Sequence, residues 1–307
     1  MNRGLKALAA LTTVVMFFVL LMGALVTNTG SADGCGASWP LCKGTFMPEW
    51  DYGAIIEFSH RAVSGLGGLL TLLLAVQVWR AFPRRPLIRW LGAGALFLVC
   101  LQGALGAMAV IWPQPKAVLA LHFGISLLCF SGVLLVTTLL MQGDRATAAP
   151  SPVFRRWVWT VALYSYAVVY LGAYVRHMKA SAACIGWPLC SGEALPSLYG
   201  LTGINFIHRL AAGVLAVMVL RLAFMALREG SQALRRAAWL AAGLILAQVA
   251  GGALFGLGYI NLATQQLHTG LISLFWGALS FLCLQVSQAD TAAAPPALGG
   301  KPTGLAH

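Results

Sequence analysis

Four histidines in this chain recur as two matched pairs. His60 sits in Phe58-Ser59-His60-Arg61 and His208 in Phe206-Ile207-His208-Arg209. His122 follows Leu121, and His268 follows Leu267. The turn Trp39-Pro40-Leu41-Cys42 returns as Trp187-Pro188-Leu189-Cys190 at the offset of the first pair, and Gln102 returns as Gln248 at the offset of the second, two residues shorter. An offset this steady marks an internal duplication. Two imidazoles on separate helices of one bundle can clamp a flat macrocycle through the axial positions of its iron. With no cysteine or carboxylate cluster beside them, each pair suits haem better than zinc, which takes about four ligands. A single histidine near a helix end is ordinarily an interfacial residue; it is the fourfold, paired recurrence that argues for ligation. His177 and His307 fall outside the repeat and receive no role.

The halves differ beside the first histidine of each pair. Glu57 lies three residues before His60, on the same helical face, and the matching residue before His208 is Asn205. An ionisable side chain at the edge of a membrane span is costly and is by default a functional candidate. A carboxylate at one site and an amide at the other suggests one reactive site and one electron-transfer site; the alternative is an interfacial glutamate facing water. Arg61 and Arg209 suit haem propionates, since a guanidinium fits a carboxylate, or else snorkel to lipid headgroups. Gly65, Gly67 and Gly68, Gly213, and Gly103 and Gly106 with their counterparts Gly251 and Gly252 allow a ring to approach the backbone, though small residues equally serve helix packing.

Cys35 and Cys42 flank one copy of the Trp-Pro-Leu-Cys turn and Cys184 and Cys190 the other. The turn brings each pair together, so two disulfides within loops are expected, Cys35–Cys42 and Cys184–Cys190, each loop capping the pocket of its half. They read as structural staples in an oxidising compartment; a labile, redox-active first pair is the alternative. Cys100, Cys129 and Cys283 read as packing residues within helices.

The elements that position these groups follow from composition. Of 307 residues, 59% are hydrophobic and 9% are charged, against about 25% charged in soluble domains. This excludes an ordinary soluble protein and a disordered chain. Eight stretches are long and apolar enough to cross a bilayer, near 6–27, 55–79, 88–111, 117–141, 155–175, 203–227, 235–257 and 262–286. The first lacks a small-residue cleavage site and is expected to stay as a helix. The fold class is therefore all-α integral membrane: eight transmembrane helices as two tandem, pseudo-symmetric four-helix bundles, residues 1–148 and 149–288, joined by a polar linker from Gln142 to Pro152. Residues 289–307 read as a disordered tail. The histidines are expected in the first turns of helices 2, 4, 6 and 8, at one depth near the outer face. The net charge of +12 is an orientation signal and not the mark of a nucleic-acid partner. Arg3, Lys6, Arg80, Arg84, Arg85, Arg89, Arg145, Arg155, Arg156, Arg221, Arg228, Arg235, Arg236 and Lys301 fall on one side, against Lys43, Lys116, Arg176 and Lys179 on the other. Both termini are expected in the cytoplasm of a cell-membrane protein, with the cysteine loops outside.

Taken together, Glu57-Phe58-Ser59-His60-Arg61, Trp39-Pro40-Leu41-Cys42, Leu121-His122, Asn205-Phe206-Ile207-His208-Arg209 and Gln266-Leu267-His268 resemble the haem A synthase family over essentially the full chain. The resemblance implies an eight-helix enzyme that oxidises the C8 methyl of haem O to a formyl group by successive hydroxylations, with water as the oxygen source and dehydration of a gem-diol as the last step. It implies a haem b cofactor on His208 and His268, the substrate porphyrin on His60 and His122, and Glu57 as the catalytic carboxylate that accepts protons or stabilises a carbocation at the methyl carbon. Haem O, haem A, an electron acceptor or donor, haem O synthase, oxidase assembly factors and the lipid bilayer are the implied partners. The alternatives are a di-haem membrane electron-transfer protein of the quinol-linked cytochrome b type without substrate chemistry, and a haem carrier with none of its own.

Overall fold

The structure is a computed structural model, and it describes residues 3–143, 150–229 and 231–293, with side chains described as far as residue 288. It is all helical. The order is α1 (Arg3–Thr29), α2 (Tyr52–Ala81), α3 (Pro86–Ile111), α4 (Lys116–Gln142), α5 (Pro152–His177), α6 (Gly200–Ala226), α7 (Gln232–Gly256) and α8 (Leu262–Ala293), with short 3-10 turns at Ser31–Asp33 and Ala180–Ala182. Among the described residues, eight helices are long and apolar enough to span a membrane. The protein is a multi-pass membrane protein. In hydrocarbon every backbone polar group must be satisfied internally, which a helix does within one segment.

Helix starts are set by local chemistry. Asp51 caps α2 by accepting from the Ala54 N–H at 3.0 Å. Ser151 caps α5 by accepting from Phe154 N–H at 3.3 Å, with Pro152 at the first helical position, where the missing N–H costs nothing. Pro86 opens α3 in the same way. Because Asp51 sets the start of α2, that helix begins at Tyr52, earlier than hydropathy indicated. Likewise α6 begins at Gly200, its first turn tied to the preceding loop by Thr202, whose Oγ1 donates to Ala183 O at 3.2 Å. His60 and His208 therefore lie in the third turn of their helices, not the first, and His122 and His268 in the second. At about 1.5 Å per residue all four sit roughly 9–12 Å in from the helix starts.

The far end also differs from expectation. Helix α8 runs through Ala293, so the tail does not leave the helix at residue 289. Alanine is the best helix former, and Pro295 is the first residue that would stop the run. The rest of the expected disordered tail, 294–307, lies outside the described residues, as do residues 144–149 of the expected linker.

Helix α1 packs on α2, α2 on α3, α3 on α4, and α4 back on α1; α5 to α8 close a second ring in the same way. The rings meet through α4 with α5, α1 with α8, and α4 with α8. Helix α8 is central, with 61% of its apolar window buried, whereas α3 is peripheral, with 6%. Across the seam Ser131 and Ser280 share a hydroxyl hydrogen bond of 2.9 Å, the kind of small polar contact that joins helices where lipid removes the hydrophobic drive between them. Phe97 and Leu163 face outward and exposed, which places them against lipid. At the arginine-rich end, Arg89 stacks 3.9 Å over Trp79 and Arg221 4.7 Å over Trp157, combining cation–π attraction with an interfacial aromatic belt.

The duplication reaches the loops. Cys42 bridges Thr45 as Cys190 bridges Glu193. Trp39–Pro40 and Trp187–Pro188 are both cis, and Gly44 and Gly192 take positive φ of 80° and 82°, a region glycine enters without a Cβ penalty.

Candidate functional site

A cavity of about 1360 Å³ runs between the two rings and is lined by His60, His122, His208 and His268 together. Small-molecule pockets are usually roughly 300–1,000 Å³, so the space exceeds what one ordinary ligand needs. All four imidazoles are partly buried. The Nδ1 atoms of His60, His208 and His268 are buried with no hydrogen-bond partner.

Helices α1 and α5 come close to these rings at glycines. A Cβ at Gly172 would stand 2.8 Å from Cε1 of His208, and one at Gly23 would stand 3.2 Å from Cε1 of His60. Gly106 flanks His122, and Gly251 and Gly252 flank His268, at longer range. Gly65, Gly68, Gly103 and Gly213 line the cavity. Gly67 instead packs against Met16 and Val19 of α1. Phe255 lies 5.1 Å from the His268 ring.

Glu57 is buried, 3% exposed, and does not face bulk water. One carboxylate oxygen accepts from the Cys35 backbone N–H at 2.8 Å; the other is paired with Arg61. Arg61 also donates to the carbonyls of Ser38 and Leu41, each at 2.7 Å. In the second half Asn205 donates to the Ala180 carbonyl at 2.7 Å and accepts from Arg209 Nε at 2.9 Å. Arg209 donates to Gly186 O at 2.7 Å and to Cys184 O. Both arginines clasp the cysteine loop of their half while lining the cavity. The two sites thus share one scaffold and differ by a charge.

The sulfurs of Cys35 and Cys42 are 2.07 Å apart, and those of Cys184 and Cys190 are 2.05 Å apart. Each loop brings a tryptophan, Trp39 or Trp187, to the cavity wall. On the outer side of the first loop Lys43 pairs with Glu49 at 2.8 Å, and that hydrogen bond raises the lysine above its ordinary range. Cys129 is buried and Cys283 partly so, but Cys100 is exposed on the outer face of α3 and packs little.

A family model described as cytochrome oxidase assembly protein matches residues 49–280, a stretch that holds Glu57 and all four histidines. Among curated relatives, "Heme A synthase" of Symbiobacterium thermophilum is 56% identical over 291 residues, 92% of this chain and 95% of the relative. "Heme A synthase" of Geobacillus kaustophilus is 43% identical over 291 residues, 92% of each chain, and that of Shouchella clausii is 38% identical over 297 residues, 94% and 99%. The chain belongs to the haem A synthase family. Membership agrees with the eight spans and the paired loop cysteines, and the family's name implies an enzyme.

Several residues at the cavity escaped the motif reading of this family member. Gly23 and Gly172 are pseudo-equivalent, and carrying the repeat back onto α1 and α5 would have found them. Gln102 donates to the His122 carbonyl at 2.7 Å and to Ser126; its match to Gln248 was visible but had no role attached. Arg176 and His177 line the cavity, although from sequence they look like outer-loop residues. Among the described residues no group of three or more His, Cys, Asp or Glu is arranged to hold a bare metal ion.

Proposed function

We propose that this chain is a membrane oxidoreductase that converts haem O to haem A by oxidising the C8 methyl group to a formyl group. One observation carries the reading. A single cavity joins two pseudo-equivalent histidine pairs that differ by Glu57 against Asn205, in a chain whose relatives bear the name Heme A synthase. A di-haem electron carrier has no need of that asymmetry.

The residues present fit a porphyrin. The cavity presents two imidazoles from each half, glycines stand where any Cβ would crowd those rings, and two imidazoles per half would suit an iron that already has four porphyrin nitrogens. In this reading His208 and His268 hold haem b in the second bundle, residues 149–288, and His60 and His122 hold the substrate haem O in the first, residues 1–148. When bound, haem b supplies one-electron transfer. Turning the methyl into a formyl group consumes one water and releases four protons and four electrons, the electrons leaving to an acceptor outside the chain. Glu57 is the group within the first site able to take protons or to face positive charge developing at the methyl carbon. Arg61 and the Cys35 N–H fix its two oxygens, so the carboxylate is oriented before substrate arrives. The disulfide loops close the outer end of each site and limit water there. Both termini lie in the cytoplasm and the loops outside, as the arginine distribution indicates.

Expression in a host that makes haem O but no haem A tests the reading. Haem A should appear in extracted membranes, and a b-type spectrum in the purified protein should vanish in His208→Ala but persist in His60→Ala. Haem O left unconverted with the protein folded and inserted would contradict the activity; the opposite spectral pattern would reverse the halves.

A further inference from the structure

The seam where α4 meets α5 carries positive charge that no ion pair among the described residues balances. Arg176, at the end of α5, lines the cavity beside Lys116, at the start of α4, and His177. Arg176 donates from Nη1 to Gln265 Oε1 at 3.0 Å, and its Nε is buried without a partner. Among the described residues no aspartate or glutamate lies within ion-pair distance of it. Gln265 is three residues before His268 on α8, so the guanidinium sits close above the His208–His268 pocket. His177 is within electrostatic reach of Arg176, Lys116 and His122.

The pseudo-equivalent seam of α1 with α8 is neutral. Gly23 and Gly172 precede Thr27 and Arg176 by the same four residues, and Leu262 and Lys116 precede His268 and His122 by the same six. The equivalent positions there are Thr27, Asn28 and Leu262, so the duplicated fold does not demand cations at this position. An unpaired guanidinium away from bulk water is costly, and its five N–H donors suit a carboxylate in bidentate geometry. The other two cavity arginines already have strong partners: Arg61 pairs with Glu57 and two loop carbonyls, leaving only its Nε without a partner, and Arg209 bonds Asn205 and the carbonyls of its own loop.

Resting on the reading of the cavity as a porphyrin site, we propose that Arg176, supported by Lys116 and His177, is a carboxylate-binding site that receives a propionate of the macrocycle in the His208–His268 pocket. The pocket is thereby selective for a porphyrin bearing free acids, and it sets the propionate edge toward the cysteine-loop end of the cavity.

Titration of full-length protein carrying His60→Ala, so that only the His208–His268 pair can give the bis-histidine absorbance band, tests this: the protein, wild type at Arg176 or substituted there, is purified from haem-starved cells and titrated with haemin and with haemin dimethyl ester. The wild type should bind the acid more tightly than the ester by roughly tenfold or more. Arg176→Met should bind the acid as weakly as the ester, with ester affinity unchanged, which also reports an intact fold. Arg176→Lys should restore part of the preference. Equal affinities in the wild type, or a preference that survives in Arg176→Met, would overturn the assignment and leave the pocket reading standing. Failure of the wild type to give any bis-histidine band would overturn the pocket reading and this assignment with it.

Discussion

At the scale of the residue, the structure gives several side chains work that their type alone did not disclose. Arg61 and Arg209 suggest propionate ligands or headgroup anchors by sequence, yet both spend their donors on loop carbonyls. Their position one turn after Glu57 or Asn205 was legible; the return of the loop over the helix was not, because it depends on long-range chain reversal. Gly172 is the sharper case. Alanine at this position would place a methyl 3.2 Å from Nε2 of His208 and 2.8 Å from its Cε1, the latter closer than real contacts allow, so the imidazole must shift. Gly172→Ala is expected to cost most of the b-type absorbance in the purified protein, by displacing a ligand and not by unfolding. Gly94→Ala on α3, where an added Cβ meets nothing within 4 Å, should keep the full spectrum. Equal spectra in the two variants would show that His208 is not held against α5 as described.

At the scale of the element, hydropathy and length gave the eight spans, and local capping corrected their ends. Asp51 begins α2 earlier than the apolar run does, which moves His60 from the first turn to the third and so deeper from the helix end. Caps are polar, and a hydropathy window passes over them. The loops between α1 and α2 and between α5 and α6 were legible as a repeated turn with two cysteines each, and the structure brings those cysteines to bonding distance. Alkylation followed by mass analysis checks the pairing. Without reductant, Cys35, Cys42, Cys184 and Cys190 should stay unmodified and should react only after reduction. Free alkylation of all four loop cysteines would refute both disulfides.

At the scale of the whole molecule, the duplicated sequence becomes two four-helix rings around one cavity. The duplication itself was readable from His60, His122, His208, His268 and the Trp-Pro-Leu-Cys turns. That the two sites open into one space was not, because it follows from how α1, α4, α5 and α8 meet, and no local pattern reports that. The same holds for Arg176, which becomes a cavity residue only when α5 packs beside α8. The proposed function rests on broken symmetry: Glu57 against Asn205 within the sites, and a basic seam against a neutral one between them. The most direct test of the account is the haem composition of membranes expressing Glu57→Ala beside wild type, in a host that supplies haem O. The account predicts that the variant inserts, keeps its b-type absorbance from the second site, accumulates haem O and yields little or no haem A. Haem A at the wild-type level in Glu57→Ala would contradict it.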